Sequence, residues 1–178
     1  QPLGVFSGDK PAEEELARCA DVHRHIMPLM RAAGITAALE PLNRFEAYLL
    51  NTIDQSIDYA ERLHEDGFGI LYDTFHANIE ERDPIAALHA IHASGHLTHV
   101  HISENDRGVP GFGHAKIREA IHALRALNYD GWLTIEAFGR GLPELAAATR
   151  VWRDLAASPE EVYTEGFRYI RQCLDEAA

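Results

Sequence analysis

Four short apolar runs in this chain each lead to a residue that can bind a metal ion. The runs are rich in β-branched and aromatic residues, which is typical of buried strands. Stretches with helical periodicity separate them, and the four terminal residues are 33, 28 and 35 positions apart. Each interval is long enough for a strand–helix–strand unit that joins parallel strands. The predicted strands are residues 35–40, 68–73, 97–102 and 132–137, and their ligand-type residues are Glu40, Asp73, His101 and Glu136.

The repeated strand–helix rhythm predicts an α/β fold of the (β/α)8 TIM-barrel type. The carboxyl ends of parallel barrel strands meet on one face, and that face carries the active site in barrel enzymes. A complete barrel needs about 250 residues. The chain has 178 residues and four predicted strands, with the tail of one more expected in residues 1–8. We therefore expect a single domain, residues 1–178, that forms about half of a barrel.

Three carboxylates and one imidazole at a common edge form a ligand set that suits Mn²⁺, Mg²⁺ or Co²⁺. Each residue alone has an ordinary alternative, since Glu40 can be a loop acid and Asp73 a helix cap. The joint pattern favours a metal site, because all four occupy the same topological position in successive units. Of the two histidines in His99-Val100-His101, we expect one to point into the barrel and the other toward the helices.

Composition narrows the class of partner. The formal net charge is −12, which argues against nucleic acid because its phosphates would be repelled. The two cysteines, Cys19 and Cys173, show no paired spacing, so a disulfide framework is not expected and a cytoplasmic location is the default prediction. No apolar stretch approaches the ~20 residues of a membrane span, and no signal peptide is visible. A small molecule is the expected partner.

Several longer motifs surround the four ligand-type residues. With them the chain resembles the xylose-isomerase-like barrels, and within these the ketose 3-epimerases of the D-tagatose/D-psicose 3-epimerase family. The similarity covers the chain as the C-terminal half of the family's barrel. It is carried by Glu40-Pro41-Leu42-Asn43-Arg44-Phe45-Glu46, Asp73-Thr74-Phe75-His76, Asn78-Ile79-Glu80-Glu81, His99-Val100-His101, Asn105-Asp106-Arg107, Pro110-Gly111 and Ile135-Glu136.

The resemblance implies a role for each matching position. Glu40, Asp73, His101 and Glu136 would hold the divalent metal, with Mn²⁺ the first choice and Co²⁺ or Mg²⁺ the alternatives. Glu40 and Glu136 would also be the catalytic bases on opposite faces of the substrate, inverting C3 of a ketose through a cis-enediolate whose charge the cation stabilises. The substrate-binding residues implied are Glu46, His76 and Arg107.

Other interpretations stay open at this stage. An aldose–ketose isomerase of the hydroxypyruvate type would use the same enediol chemistry one carbon along. A non-catalytic metal-binding half-barrel is a third interpretation, and its open sheet edges would favour a homo-oligomer. A phosphodiesterase of the AP-endonuclease type is disfavoured by the acidic charge. Phe112 and Trp132 are expected to be packing residues, and the loop 108–113 either a substrate lid or a static turn.

Overall fold

The computed structural model describes residues 8–177 and contains four strands and seven helices in that range. The strand tail expected in residues 1–8 lies almost wholly outside the described residues. The strands are β1 (Ala37–Leu39), β2 (Phe68–Asp73), β3 (Leu97–Ile102) and β4 (Leu133–Ile135). The helices are α1 (Glu13–Ala32), α2 (Ile53–Leu63), α3 (Thr74–Glu80), α4 (Pro84–Ala93), α5 (Ile117–Ala126), α6 (Pro143–Thr149) and α7 (Pro159–Glu176).

The four strands form one parallel sheet in the order β1-β2-β3-β4. Because consecutive strands are neighbours and helices connect them, the predicted fold class is confirmed as a partial (β/α) barrel. The register places Asp73 beside His101 on the two central strands. The sheet therefore brings its carboxyl-terminal ends to a common edge, as the sequence predicts.

The outer strands are shorter than predicted. The ranges 35–40 and 132–137 contain three-residue strands, whereas β2 and β3 match their predicted bounds. Among the described residues each outer strand pairs with one neighbour only, so its ladder has half the support of a central strand. Glu40 and Glu136 consequently follow the strands instead of ending them, although the Glu136 N–H still donates to the Ile102 carbonyl at 3.1 Å.

The core lies between the sheet and the helices that cover its outer face. All of β2 is buried, and Val100 and Ile102 on β3 are fully buried among residues of α2, α4 and α5. Gly69 permits the close approach of β2 and β3, because a Cβ there would lie 2.1 Å from Cγ2 of Thr98. No helix among residues 8–177 is both long and apolar enough to cross a membrane.

Two packing predictions are wrong. Trp132 is 78% exposed and Phe112 is 68% exposed, so neither belongs to the core. Trp132 precedes the short outer strand β4, and Phe112 lies in the loop between β3 and α5. Their apolar character favours burial, but no described element covers them.

Candidate metal centre and active site

The structure brings the four predicted ligands together at the carboxyl-terminal edge of the sheet. One ligand atom from each of Glu40, Asp73, His101 and Glu136 lies within 4.8 Å of the others. His101 Nδ1 is 3.5 Å from Asp73 Oδ2, 3.5 Å from Glu136 Oε1 and 3.7 Å from Glu40 Oε1. The central strands supply Asp73 and His101, while the outer strands supply the two glutamates, which therefore flank the cluster.

Three atoms of this cluster are buried without a hydrogen-bond partner among the described residues. They are Glu40 Oε1, Asp73 Oδ2 and His101 Nδ1. Buried polar atoms are nearly always paired, because leaving one unpaired costs about 1–3 kcal/mol. Their convergence fits a divalent cation, which would take a lone pair from each of them. The donor set of three carboxylates and one imidazole suits the same group of ions.

Asp73 has two roles in the same side chain. Its Oδ1 accepts hydrogen bonds from the N–H groups of Phe75 at 2.7 Å and His76 at 3.0 Å, which caps helix α3. Its Oδ2 is the atom that faces the cluster. Asp73 is therefore both the helix cap of the ordinary interpretation and a member of the ligand set.

Electrostatics at the cluster favour the uptake of positive charge. Burial lowers the pKa of His101, but its contacts with Asp73, Glu136 and Glu40 outweigh this and raise it to about 11. Burial also raises the pKa of Glu136, yet His101 and Arg107 together bring it down to about 2. Burial dominates at Asp73 and raises its pKa despite the same two neighbours. In the metal-free protein a proton on His101 thus supplies part of the positive charge that a metal ion would bring.

The three predicted substrate-binding residues surround the cluster. Arg107 Nη1 contacts Glu136 and donates to Ser103 Oγ at 3.1 Å, and its guanidinium lies 3.8 Å from the centre of the Phe75 ring. The other terminal nitrogen, Nη2, is 3.0 Å from His76 Nε2 and 4.0 Å from Glu46 Oε1. The structure therefore places Glu46, His76 and Arg107 together beside the four ligands.

His76 presents a donor to the site. The Asn43 backbone N–H donates to His76 Nδ1 at 2.9 Å, so Nδ1 is an acceptor and the ring proton sits on Nε2. Burial and the nearby Arg107 lower the pKa of His76 to about 3, which keeps the ring neutral. Nε2–H and the Arg107 Nη2–H groups are then two donors 3.0 Å apart that cannot hydrogen-bond each other, and Glu40 Oε1 lies 3.7 Å from Nε2. An oxygen atom of a ligand would satisfy both.

Sequence reasoning missed two residues that support the site. Asn43 is buried, its amide donates to Glu46 Oε1 at 2.8 Å, and its Oδ1 accepts from the Phe45 N–H at 3.0 Å. Glu104 is buried after β3 and accepts from the N–H groups of Gly111 at 2.9 Å and Ala115 at 3.2 Å. Both stand beside other polar or charged residues, Arg44 for Asn43 and Ser103 and Asn105 for Glu104, so the sequence alone does not single them out.

The prediction for His99 and His101 is wrong. Their ring centroids are 5.2 Å apart, so both lie on the same face of β3, and Val100 between them is buried on the other. Side chains alternate along a strand, which puts residues two apart on one face. His99 Nε2 lies 3.0 Å from Thr134 Oγ1 on β4, next to the ligand cluster without joining it.

Comparison with known proteins identifies the family of this chain. The family model described as xylose isomerase-like TIM barrel matches residues 2–173. A probable ketose 3-epimerase from Synechocystis sp. is 36% identical over 171 residues, which are 96% of this chain and 59% of that protein. The D-psicose 3-epimerase of Ruminiclostridium cellulolyticum is 33% identical over 153 residues, covering 86% of this chain and 51% of that protein.

Solved structures agree with the sequence relatives. The structure of an L-ribulose 3-epimerase superposes with a TM-score of 0.89 at 33% identity, covering 98% of this chain and 58% of that one. A 3-dehydro-D-guloside 4-epimerase from Escherichia coli is also similar, at 29% identity over 154 residues, 86% of this chain and 52% of that protein. The chain spans between half and three-fifths of the length of these relatives. Since the family model covers nearly all of it, the chain belongs to the xylose isomerase-like TIM barrel family.

Proposed function

We propose that this chain carries the active site of a divalent-metal-dependent ketose 3-epimerase, with Glu40 and Glu136 as its two catalytic bases. The observation that supports this most directly is the position of the glutamates. They follow the two outer strands and lie on either side of His101, at 3.7 Å and 3.5 Å from its Nδ1. Inversion at carbon needs one group to remove a proton from one face and another to return a proton to the opposite face.

The chemistry begins with a weakly acidic proton on the carbon beside a ketone. A divalent cation held by Glu40, Asp73, His101 and Glu136, with Mn²⁺ the first choice and Co²⁺ or Mg²⁺ the alternatives, would supply Lewis-acid stabilisation of the negative charge that develops on the substrate oxygens. His76 Nε2–H and Arg107 Nη2 add two preorganised donors 3.0 Å apart at the place where a carbonyl oxygen would accept from both.

The two bases keep different surroundings. In the metal-free protein, a protonated His101 and Arg107 lower the pKa of Glu136 to about 2 and keep this carboxylate ionised against the burial that opposes it. Arg107 reaches Glu136 through Nη1 and leaves Nη2 for the substrate. Glu46 is held by the Asn43 amide at 2.8 Å and can accept a hydrogen bond from a substrate hydroxyl. One glutamate, ionised, takes the C3 proton, and the other, after taking a proton from solvent, delivers that proton to C3 from the opposite face. The first glutamate then returns its proton to solvent, and the roles exchange in the reverse direction.

The activities of the relatives set the substrate class to be tested. Those relatives are named for ketose, D-psicose and L-ribulose 3-epimerases, which makes a free ketose the first choice for this chain. The test is proton NMR of D-fructose, D-psicose and L-ribulose in D₂O with the Mn²⁺-loaded protein. Deuterium entering C3 together with formation of the C3 epimer is the expected result.

Variants of the two glutamates make this test specific. With Glu136→Gln, one C3 epimer should still exchange its proton while neither is converted to the other, because only one base remains; Glu40→Gln should show the opposite preference. Glu61→Gln, on the exposed surface of α2, is the matched control and should behave as the unsubstituted protein. Deuterium at C1 would indicate an isomerase, and bound Mn²⁺ without any exchange would reject the activity for this chain.

A further inference from the structure

The cavity in front of the ligand cluster extends beyond the residues that the proposed reaction uses. It has a volume of about 200 Å³ and is lined by Glu40, Glu46, His76, Arg107 and Glu136 on the side of the cluster. The rest of its wall comes from the apolar Leu42, Phe75 and Phe138 and from the end of helix α6, Ala148, Thr149 and Arg150. This volume is below the ~300 Å³ at which pockets for drug-sized ligands begin, so it suits a small molecule.

Arg150 is the charged residue of this wall that the reaction leaves unused. Arg107 is committed to Glu136 and Ser103 through Nη1 and to the proposed substrate carbonyl through Nη2, whereas Arg150 makes no ion pair or side-chain hydrogen bond within residues 8–177. Its guanidinium offers five donors and no acceptor. It is therefore free to donate to oxygen atoms of a molecule that enters the cavity.

The backbone of Arg150 is also unusual. It ends helix α6 in the left-handed conformation with φ of 58°, a position where glycine or asparagine is the common choice. Arg107, the other arginine of the cavity, has a left-handed backbone as well, with φ of 65°. The same left-handed conformation occurs at His64, which ends α2, and at Asn128 after α5, both outside the cavity, so it does not by itself mark a site. Both arginines of the cavity share this feature.

The charges of the cavity favour a neutral ligand. Glu40, Glu46, Asp73 and Glu136 carry four negative charges, which a divalent cation and Arg107 reduce to one when His101 is neutral. Arg150 balances that remaining charge. A neutral sugar leaves this balance unchanged, whereas a phosphate group would bring two negative charges to a wall with one free cation.

We propose that Arg150 is a specificity-determining residue that binds the hydroxyl oxygens at the far end of a neutral ketose chain, beyond C4. The inference rests on the proposed function, which places the C1–C3 end of the sugar between Glu40 and Glu136. The remaining carbons then lie along the wall that Phe138 and α6 form. With the sugar placed in this way, we expect a ketotetrose to end before this wall and a ketohexose to reach Arg150.

The test compares a long and a short ketose in the Arg150→Met and Arg150→Gly variants. Loss of a hydrogen bond from a charged group should raise KM for D-psicose or D-fructose by about tenfold, with a smaller change in kcat. C3 exchange of the ketotetrose erythrulose should be unchanged. Glycine adopts positive φ without strain, so Arg150→Gly should fold and melt at least as well as the parent. Arg168→Met, exposed on α7 where it pairs with Glu165, is the control.

The possible outcomes separate this inference from the proposed function. Equal KM values in parent and variants for the hexoses, or an equal loss for both sugar lengths, would overturn the role of Arg150 while leaving the epimerase proposal intact. Preference of the parent for a ketose 6-phosphate, lost in Arg150→Gly, would overturn the neutral-ligand assignment. Absence of C3 exchange in the parent with either sugar would reject the epimerase proposal, and the inference with it.

Discussion

Substitution of Asp73 by asparagine should separate its role as a metal ligand from its role as a helix cap. Asparagine keeps the shape and an oxygen that can accept from the N–H groups of Phe75 and His76, and it is as good an N-cap as aspartate. The atom that changes is Oδ2, which faces the cluster without a hydrogen-bond partner. The substitution therefore removes a ligand while the start of α3 remains capped.

The expected effect on stability depends on the metal. Burial raises the pKa of Asp73, which shows that the ionised carboxylate is costly in the metal-free protein. Asp73→Asn should consequently leave the metal-free protein about as stable as the parent, within ~1 kcal/mol. Metal binding at 100 times its Kd stabilises the parent by about 2.7 kcal/mol, but only by about 0.4 kcal/mol if loss of the ligand weakens binding 100-fold. For a chain of this size the parent should gain about 5–11 °C in Tm and the variant about 1–2 °C.

Thermal melting of chelator-treated protein measures the stability without metal, and repeating it during Mn²⁺ titration measures the gain in Tm on metal binding. The matched control is Asp58→Asn on the exposed surface of α2, which should gain as much from Mn²⁺ as the parent. Retention of the full Mn²⁺ increment in Asp73→Asn would contradict its assignment as a ligand. A metal-free variant destabilised by several kcal/mol would instead show that the Asp73 carboxylate is held mainly by its ion pairs with His101 and Arg107.

Two further predictions follow from residues around the site and in α1. Asn43→Ala removes the amide that bonds Glu46 and His76, so kcat/KM for C3 epimerisation should fall by about tenfold. Asn43→Asp retains the acceptor for the Phe45 N–H and should be more stable than Asn43→Ala. An unaltered kcat/KM in Asn43→Ala would show that Asn43 does not position the site. His23 hydrogen-bonds Tyr59 at 2.6 Å, and burial lowers the pKa of its imidazole. The contribution of neutral His23 to the stability of the folded protein is therefore complete above the unfolded-state pKa. It is lost as pH falls through the lower folded-state pKa. Urea denaturation should therefore show a smaller loss of stability on acidification in His23→Gln than in the parent. The control His25→Gln, on the exposed face of α1, should match the parent. An equal dependence of stability on pH in all three proteins would refute the role of His23.

The parts of the site that the sequence predicts are those fixed by topology. Glu40, Asp73, His101 and Glu136 each follow an apolar run, and parallel strands joined by helices must bring such positions to one edge. This argument needs no knowledge of side-chain packing, which is why it identifies the ligand cluster. The resemblance to a known family added Glu46, His76 and Arg107, and the structure places all three beside that cluster.

The parts that sequence reasoning did not predict depend on three-dimensional contacts between loops. The support that Asn43 gives to His76 joins the segment after β1 to helix α3, 33 positions away. Glu104 is buried because three N–H groups of its own loop turn toward it, a consequence of the path between β3 and α5. The exposure of Trp132 depends on which elements cover the end of β4, and hydrophobicity alone does not state this.

The cluster also shows how function sets a limit on stability in this fold. A sheet edge stabilised for folding alone would not bury three unpaired polar atoms together, because each costs free energy when the site is empty. The cap made by Asp73 Oδ1 and the contacts of Arg107 with Ser103 and Phe75 stabilise the surrounding backbone by ordinary means. The cap and these contacts hold the unpaired atoms in place, so that the site does not have to reorganise when a cation binds. Residues outside the ligand set thus preorganise the site for a cation. Asp73 is the exception, because one of its oxygens caps α3 and the other faces the cluster.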